Sequence, residues 1–266
     1  MKTKKIPSEG ELTALTNEDD VLPSNSPSNL PAFLFIPGMC GTADQFEMLV
    51  KTMKQRAYAL NLRGHGTSGG ELRKASFLDY CDDIRDAILA IGQVYLIGHS
   101  MGGLIAQVIA QESAMRPFVR KVVLLASTPP AGIKIPFRIG FLRPRYLWAM
   151  AFSKPFELHP KEKKLFRHPN DFYPPFERES GKAVGEILLG NLVGAWRVIR
   201  TSMPTLVVAG TEDEVFPLSI GTQKEIAKFH GALYKEVVTG HMIHCEPKGE
   251  RFFTEEIVPW CLGNRE

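Results

Sequence analysis

Short apolar runs recur along the chain at Ala32 to Ile36, Ala57 to Leu62, Val94 to Ile97, Val122 to Ala126, Thr205 to Ala209 and Tyr234 to Val238. Each is bounded by turn formers or charge, and the strands of a parallel sheet buried on both faces read this way. Between them the apolar period lengthens. Phe77, Cys81, Ile84, Ile88 and Ile91 fall on one face of a predicted helix capped by Ser76, and Met101, Leu104, Ile105, Val108 and Ile109 repeat at three- and four-residue intervals. Strands alternating with helices require right-handed crossovers, so the predicted fold class is α/β, a mainly parallel doubly wound sheet.

The alternation fails once, between Thr128 and Ser202, in a stretch rich in Pro, Arg and aromatic residues. A structureless loop of about seventy residues is improbable inside a compact domain. This stretch therefore reads as a helical cap spanning 129–202, inserted into a core formed by 1–128 and 203–266, with a helix predicted over Lys182 to Ile199. The first thirty residues are polar and end in a Pro/Ser/Asn-rich run from Leu22 to Pro31, which predicts a surface loop after at most one short edge strand.

The clearest chemistry lies at Gly98-His-Ser-Met-Gly102, between the strand ending at Ile97 and the helix starting at Met101. Strand, sharp turn and helix are the context that makes G-x-S-x-G a nucleophile motif, with Ser100 lifted out of the sheet. A serine hydroxyl needs a base and an orienting acid. Asp213 lies just past the strand ending at Ala209, and His241 just past the strand ending at Val238, where catalytic groups collect in open α/β sheets. Glu212 and Glu214 read as solvated neighbours of Asp213. His244 competes with His241, which Gly240 favours; His65 reads as a loop-fixing residue, and His159, His168 and His230 as surface histidines.

Pro37-Gly38, Asn61-Leu-Arg-Gly-His-Gly-Thr-Ser68, Gly98-His-Ser-Met-Gly-Gly103, Gly210-Thr-Glu-Asp213 and Gly240-His241 together resemble the α/β-hydrolase family, in particular its capped esterase, lipase and C–C hydrolase branches, over nearly all of 32–262. Asn61 departs from the Asp common among relatives, at a position that is structural. The resemblance implies a serine hydrolase with Ser100 as nucleophile, Asp213 as acid and His241 as base. It also implies an oxyanion hole built from the backbone N–H groups of Met39 and Met101. The favoured activity is carboxylester hydrolysis of moderately apolar small molecules. C–C bond hydrolysis or thioester hydrolysis on the same triad are the alternatives, and a non-hydrolytic, receptor-like binding protein is the rival of a different class. No metal or organic cofactor is needed.

Within the predicted cap, Phe137, Phe141, Trp148 and Trp196, with Tyr146 and Phe152, could line an apolar pocket above Ser100. Arg143 and Arg145 could clamp a substrate carboxylate, as a C–C hydrolase requires. The formal net charge of +3 is too small to imply nucleic-acid binding. The four cysteines, Cys40, Cys81, Cys245 and Cys261, lack the paired spacing of a zinc site or disulfide framework and read as reduced thiols. Lys2, Lys4 and Lys5 are not followed by an apolar signal-peptide core and no run is long enough to span a membrane, which predicts a soluble, cytoplasmic protein with a small-molecule substrate. The oligomeric state is left open.

Overall fold

The computed structural model describes residues 1–18, 30–133, 143–166, 176–194, 196, 198–215 and 219–263. The strands are β1 (Lys2–Ile6), β2 (Leu12–Thr16), β3 (Ala32–Ile36), β4 (Ala57–Asn61), β5 (Val94–His99), β6 (Val119–Leu125), β7 (Thr205–Gly210) and β8 (Leu233–Val237). They form one sheet in the order β1-β2-β4-β3-β5-β6-β7-β8. From β4 to β8 every pairing is parallel, whereas β1 pairs with β2, and β2 with β4, antiparallel. The N-terminal residues thus form a two-stranded edge, where the sequence predicts at most one strand. The four residues Lys2 to Lys5 of β1 face solvent, so its pairing with β2 fixes it and no apolar pattern announces it.

The helices are α1 (Glu47–Thr52), α2 (Phe77–Ile91), α3 (Met101–Gln111), α4 (Pro144–Ala151), α5 (Pro160–Lys163), α6 (Gly181–Val193), α7 (Ser219–His230), α8 (Pro247–Phe252) and α9 (Val258–Leu262). Successive strand residues feed opposite faces of the sheet. Leu34, Ile36, Leu60, Leu96 and Leu124 join α2 and α3 in one core, while Phe33, Phe35, Ile97, Val123 and Leu125 join α1 and the C-terminal helices in the other. Burying each such side chain contributes about 1.5–3 kcal/mol, and double-sided burial makes the runs continuous rather than alternating. At α2 the expected cap is complete: the Ser76 hydroxyl accepts from the Asp79 N–H, and the Asp79 carboxylate accepts from the Ser76 N–H.

The connection from β6 to β7, hereafter the insert, carries α4, α5 and α6, with α4 lying on the start of α6. A Cβ on Gly181 would stand only 2.4 Å from the Ala149 carbonyl oxygen. The helix expected to run to Ile199 ends at Val193, because Gly194 takes the left-handed conformation, φ 75°, that terminates helices. Among the described residues, no helix is long and apolar enough to cross a membrane.

Candidate active site

The sheet order reverses at β3, whose neighbours are β4 and β5, and the crevice at the C-terminal ends of β3 and β5 is where an open α/β sheet binds ligands. Ser100 sits there, between β5 and α3, with φ 51° and ψ −116°. A non-glycine residue in such a conformation costs of the order of 1–3 kcal/mol, so its surroundings must enforce it. They do so through the main chain: the Ser100 N–H donates to the Leu125 carbonyl (3.0 Å), and its own carbonyl accepts from Gly103 and Thr128 (both 2.9 Å). The flanking glycines permit contacts no side chain could. A Cβ on Gly98 would lie 2.3 Å from the Gly102 carbonyl oxygen, and one on Gly102 would lie 2.5 Å from those of Ile36 and Pro37.

Asp213 and His241 arrive on two loops pressed together. A Cβ on Gly210 would stand 2.3 Å from the Gly240 carbonyl oxygen, and the Glu212 N–H donates to the Thr239 carbonyl at 2.9 Å. The Glu246 carboxylate accepts the Gly240 N–H at 2.7 Å and holds the second loop's start. His241 Nδ1 lies 2.8 Å from Asp213 Oδ2, with both side chains wholly buried, while Asp213 Oδ1 accepts the Val215 N–H at 2.8 Å. Because a carboxylate accepts, Nδ1 carries the proton, and the neutral ring has its basic lone pair on Nε2. Glu212 and Glu214 are exposed.

His99 ties the serine turn to the histidine loop. Its Nε2 lies 3.0 Å from the His241 carbonyl oxygen, so Nε2 bears the proton, and the two rings stand 4.8 Å apart. On its other side His99 meets His244 at 4.5 Å, and His244 stacks on Phe46 at 4.2 Å. Burial, reinforced by the neighbouring histidines, holds His99 well below the ordinary imidazole range, and burial followed by His241 brings His244 down to about 3. Both are neutral near pH 7. Among the described residues, His99 Nδ1, both nitrogens of His244 and the side-chain amide of Gln45 are buried without a hydrogen-bond partner.

Met101 opens α3 directly after Ser100. Met39 follows Gly38, whose own approach to the serine is close, since a Cβ there would lie 3.0 Å from Ser100 Cβ and 2.9 Å from His99 Nδ1. Both main-chain donors named from the sequence therefore belong to segments that meet at the serine. Asn61 acts as a brace: its Oδ1 accepts the Ala43 N–H at 2.8 Å and its Nδ2 donates to Thr13 Oγ1 at 3.1 Å.

Phe137 and Phe141 lie outside the described residues. Arg143 and Arg145 both turn to Glu162, Arg143 Nε at 2.8 Å and Arg145 Nη2 at 3.3 Å, and the Tyr146 hydroxyl donates to the same carboxylate. Trp148 is exposed and rests on Phe152. Trp196 packs edge-on against Phe77, its Nε1 donating to the Glu186 carbonyl. From the insert it is Phe166 that reaches the centre, edge-on to His241 at 5.3 Å. Phe166 joins Leu158 and Phe176 of the insert, Cys40, Val215 and Met242 in one apolar cluster against which Met39 packs. Phe166 was not singled out in the sequence because the charged neighbours Lys163, Lys164 and Arg167 mask its apolar setting. In the sequence His99 is visible as a ring beside Ser100, whereas nothing separates Glu179 from a surface glutamate.

One surface histidine expected from the sequence is placed elsewhere by the fold. His230 is buried rather than superficial, with Nε2 3.0 Å from Gln107 Oε1 and Nδ1 accepting the Thr201 N–H at 3.4 Å. His168 lies outside the described residues. All four cysteines are free thiols.

The sequence profile of the alpha/beta hydrolase family matches residues 33–249. A 119-residue stretch is 31% identical to the sn-1-specific diacylglycerol lipase ABHD11 of Mus musculus, covering 42% of this chain but only 38% of that relative. Among solved structures, the monoacylglycerol lipase of Paleococcus ferrophilus superposes with a TM-score of 0.65 at 21% identity, over 88% of this chain and 95% of that one. A hydrolase from Pseudomonas aeruginosa PA01 superposes with a TM-score of 0.66 at 16% identity, over 98% of each chain. At those identities the structural likenesses establish the fold, and the profile match over most of the chain establishes the family. The chain belongs to the alpha/beta hydrolase family, and hydrolysis is the class of activity that this membership supports.

Proposed function

We propose that the protein hydrolyses carboxylic esters of moderately apolar small molecules through an acyl-enzyme formed on Ser100. The observation that carries this reading is the buried 2.8 Å bond from His241 to Asp213, on a loop that His99 fastens to the strained turn holding Ser100. His241 Nε2 takes the hydroxyl proton as Ser100 Oγ attacks the ester carbonyl, and Asp213 fixes the tautomer and stabilises the imidazolium. The Met39 and Met101 N–H groups receive the oxyanion, each such donor contributing roughly 3–4 kcal/mol to the transition state. His241 then returns the proton to the departing alcohol, and water releases the acid by the same steps in reverse.

The neutrality of the substrate is supported by the arginines of the insert, whose charges face Glu162. Its apolar character is supported by the cluster around Phe166, beside the His241 ring. In this reading 129–202 is a cap that selects the acyl or alkyl group, and the protein works without a metal or organic cofactor. The test is turnover of p-nitrophenyl butyrate by Ser100→Ala against wild type. Loss of turnover with an unchanged melting temperature is expected; retention of it would remove Ser100 from the reaction.

A further inference from the structure

Glu179 of the insert has no exposed surface, yet the chemistry assigned to Ser100 makes no use of it. Its Oε2 accepts the Cys40 N–H at 2.8 Å and faces His65 Nε2 at 3.5 Å. Its Oε1 accepts the Tyr80 hydroxyl and the Ser180 N–H, both at 2.7 Å. Burial works to raise this carboxyl, but His65 and the surrounding donors outweigh burial and hold it below the ordinary carboxylate range. His65 Nδ1 lies 3.3 Å from the Arg63 carbonyl oxygen; burial works to lower this imidazole, but Glu179 outweighs burial and raises it above its ordinary range. The loop after β4, α2 and the insert thus converge on one buried carboxylate.

That carboxylate is aimed at the turn expected to supply an oxyanion donor. Gly38 to Gly41 form a turn closed by Gly41 N–H to the Gly38 carbonyl at 3.1 Å, with Cys40 in the third position at φ 61°. Positive φ at that position marks a type II turn, which ordinarily takes glycine because a Cβ is strained there. Here the insert restrains both polar groups of Cys40: its N–H donates to Glu179, and its carbonyl accepts the Glu177 N–H at 3.0 Å. The Glu177 carboxylate also accepts the Gly66 N–H at 2.8 Å, fixing the loop that carries His65. Because the Gly38–Met39 peptide is trans, directing the Gly38 carbonyl into the turn directs the Met39 N–H out of it.

We propose that Glu179 is a positioning residue that locks the Gly38–Gly41 turn and thereby the Met39 N–H, so that docking of the insert and assembly of the oxyanion site are one event. This rests on the reading of Ser100 and Met39 given above. Glu186 offers the comparison that separates positioning from general stapling. It also joins insert to core, accepting the Phe77 N–H at 2.8 Å, but on α2, away from the turn.

The experiment measures kcat, KM and melting temperature on p-nitrophenyl butyrate for wild type, Glu179→Gln, Glu186→Gln and Ser100→Ala. A donor of this kind is worth about 100- to 1000-fold in rate, and its displacement rather than removal should cost Glu179→Gln about 10- to 100-fold in kcat with KM within about twofold. Glu186→Gln should lower the melting temperature while sparing kcat. Wild-type kcat in Glu179→Gln, or losses in both variants that simply track melting temperature, would overturn the proposal. If Glu179→Gln does not fold, Tyr80→Phe and His65→Gln, each of which removes a group that aims the Glu179 carboxylate at the Cys40 N–H, should each lower kcat with KM kept, and wild-type kcat in both would overturn it. Full turnover by Ser100→Ala removes the functional reading and this proposal with it; an inactive Ser100→Ala beside an unimpaired Glu179→Gln removes this proposal alone.

Discussion

The sheet and the insert bury their charged groups by different means. Past the ends of β5, β7 and β8, each loop of the site is pinned by a short-range backbone bond, Asp213 accepting the Val215 N–H and Gly240 donating to Glu246, and the loops are then tied to one another by His241 to Asp213 and His99 to the His241 carbonyl. In the insert, Glu179 is buried and gathers donors from the core, from Cys40, 139 positions away, and Tyr80, 99 away, whereas Glu162 is buried among donors of the insert itself. The insert also leaves Leu147, Trp148, Phe152, Leu189 and Val193 exposed, while β3, β4, β5 and β7 are buried at every residue. The contrast teaches where each property resides. Backbone geometry at the strand ends sets the proposed reactive centre, and polar contacts from Glu179 to the core set how the insert sits on it.

The comparison breaks first if the reactive centre is not one unit. His241→Ala and Asp213→Asn should each lose on the order of 10⁴-fold or more in kcat, and adding Ser100→Ala to either should bring the rate no lower than Ser100→Ala alone. Multiplying losses in the double variants, measured on an activated ester, would show independent groups.

A second contrast is steric. Gly102→Ala places a Cβ 2.5 Å from two backbone oxygens that cannot yield, whereas the nearest atom to a Cβ on Gly185 is Met150 Cβ, at 3.3 Å. Denaturant titration should show a loss of about 3 kcal/mol for the first and less than about 1 kcal/mol for the second, where the better helix propensity of alanine offsets the contact. Equal losses would mean that the helix after the serine is not held as tightly as described.

Acid lability should belong to the sheet side. Burial, with Arg200 adding to it, lowers His230 from 6.5 to about 4, and His244 falls from 6.5 to about 3. Between these folded values and 6.5 the unfolded chain binds the extra protons, so the stabilisation is complete above about pH 6.5 and is lost as pH falls. Each group contributes about 1.4 kcal/mol per pH unit within its window. Urea midpoints should therefore drop between about pH 6.5 and 5, above the carboxylate range, and His230→Gln should flatten that slope. An unchanged slope in the variant contradicts the burial of His230 as the cause.

The smallest effects are expected at Phe166 and at the two arginines of the insert. Phe166→Ala, which removes the ring beside His241, should change kcat/KM for longer acyl chains by about tenfold while altering acetate esters little. Arg143→Ala and Arg145→Ala should change neutral-ester turnover by less than about twofold. A large loss in either arginine variant, confined to carboxylate-bearing substrates, would shift the reading toward an anionic substrate.

The residues at the ends of the parallel strands were legible because each chemical group is next to the apolar run that positions it. Ser100, Asp213 and His241 all follow such runs, and Ser76 with Asp79 announces α2. What was not legible depends on partners remote in sequence. His230 reads as a helix-end surface residue until Gln107 and Thr201 cover it, and β1 is a strand only because β2 pairs with it. Glu162 and Glu179 stand among charged neighbours and look solvated until the fold surrounds them. The end of α6 was misplaced for a local reason, since apolar periodicity continues past Gly194 although the backbone turns there.

The central claim is covalent: Ser100 becomes acylated. Intact-protein mass spectrometry after rapid acid quench with p-nitrophenyl butyrate, followed by peptide mapping, tests it directly. One butyryl adduct on the peptide containing Ser100, formed with the first burst of p-nitrophenol and absent in Ser100→Ala, is the predicted result. Full turnover with no adduct in the burst phase, or an adduct mapped to another residue, would contradict the account.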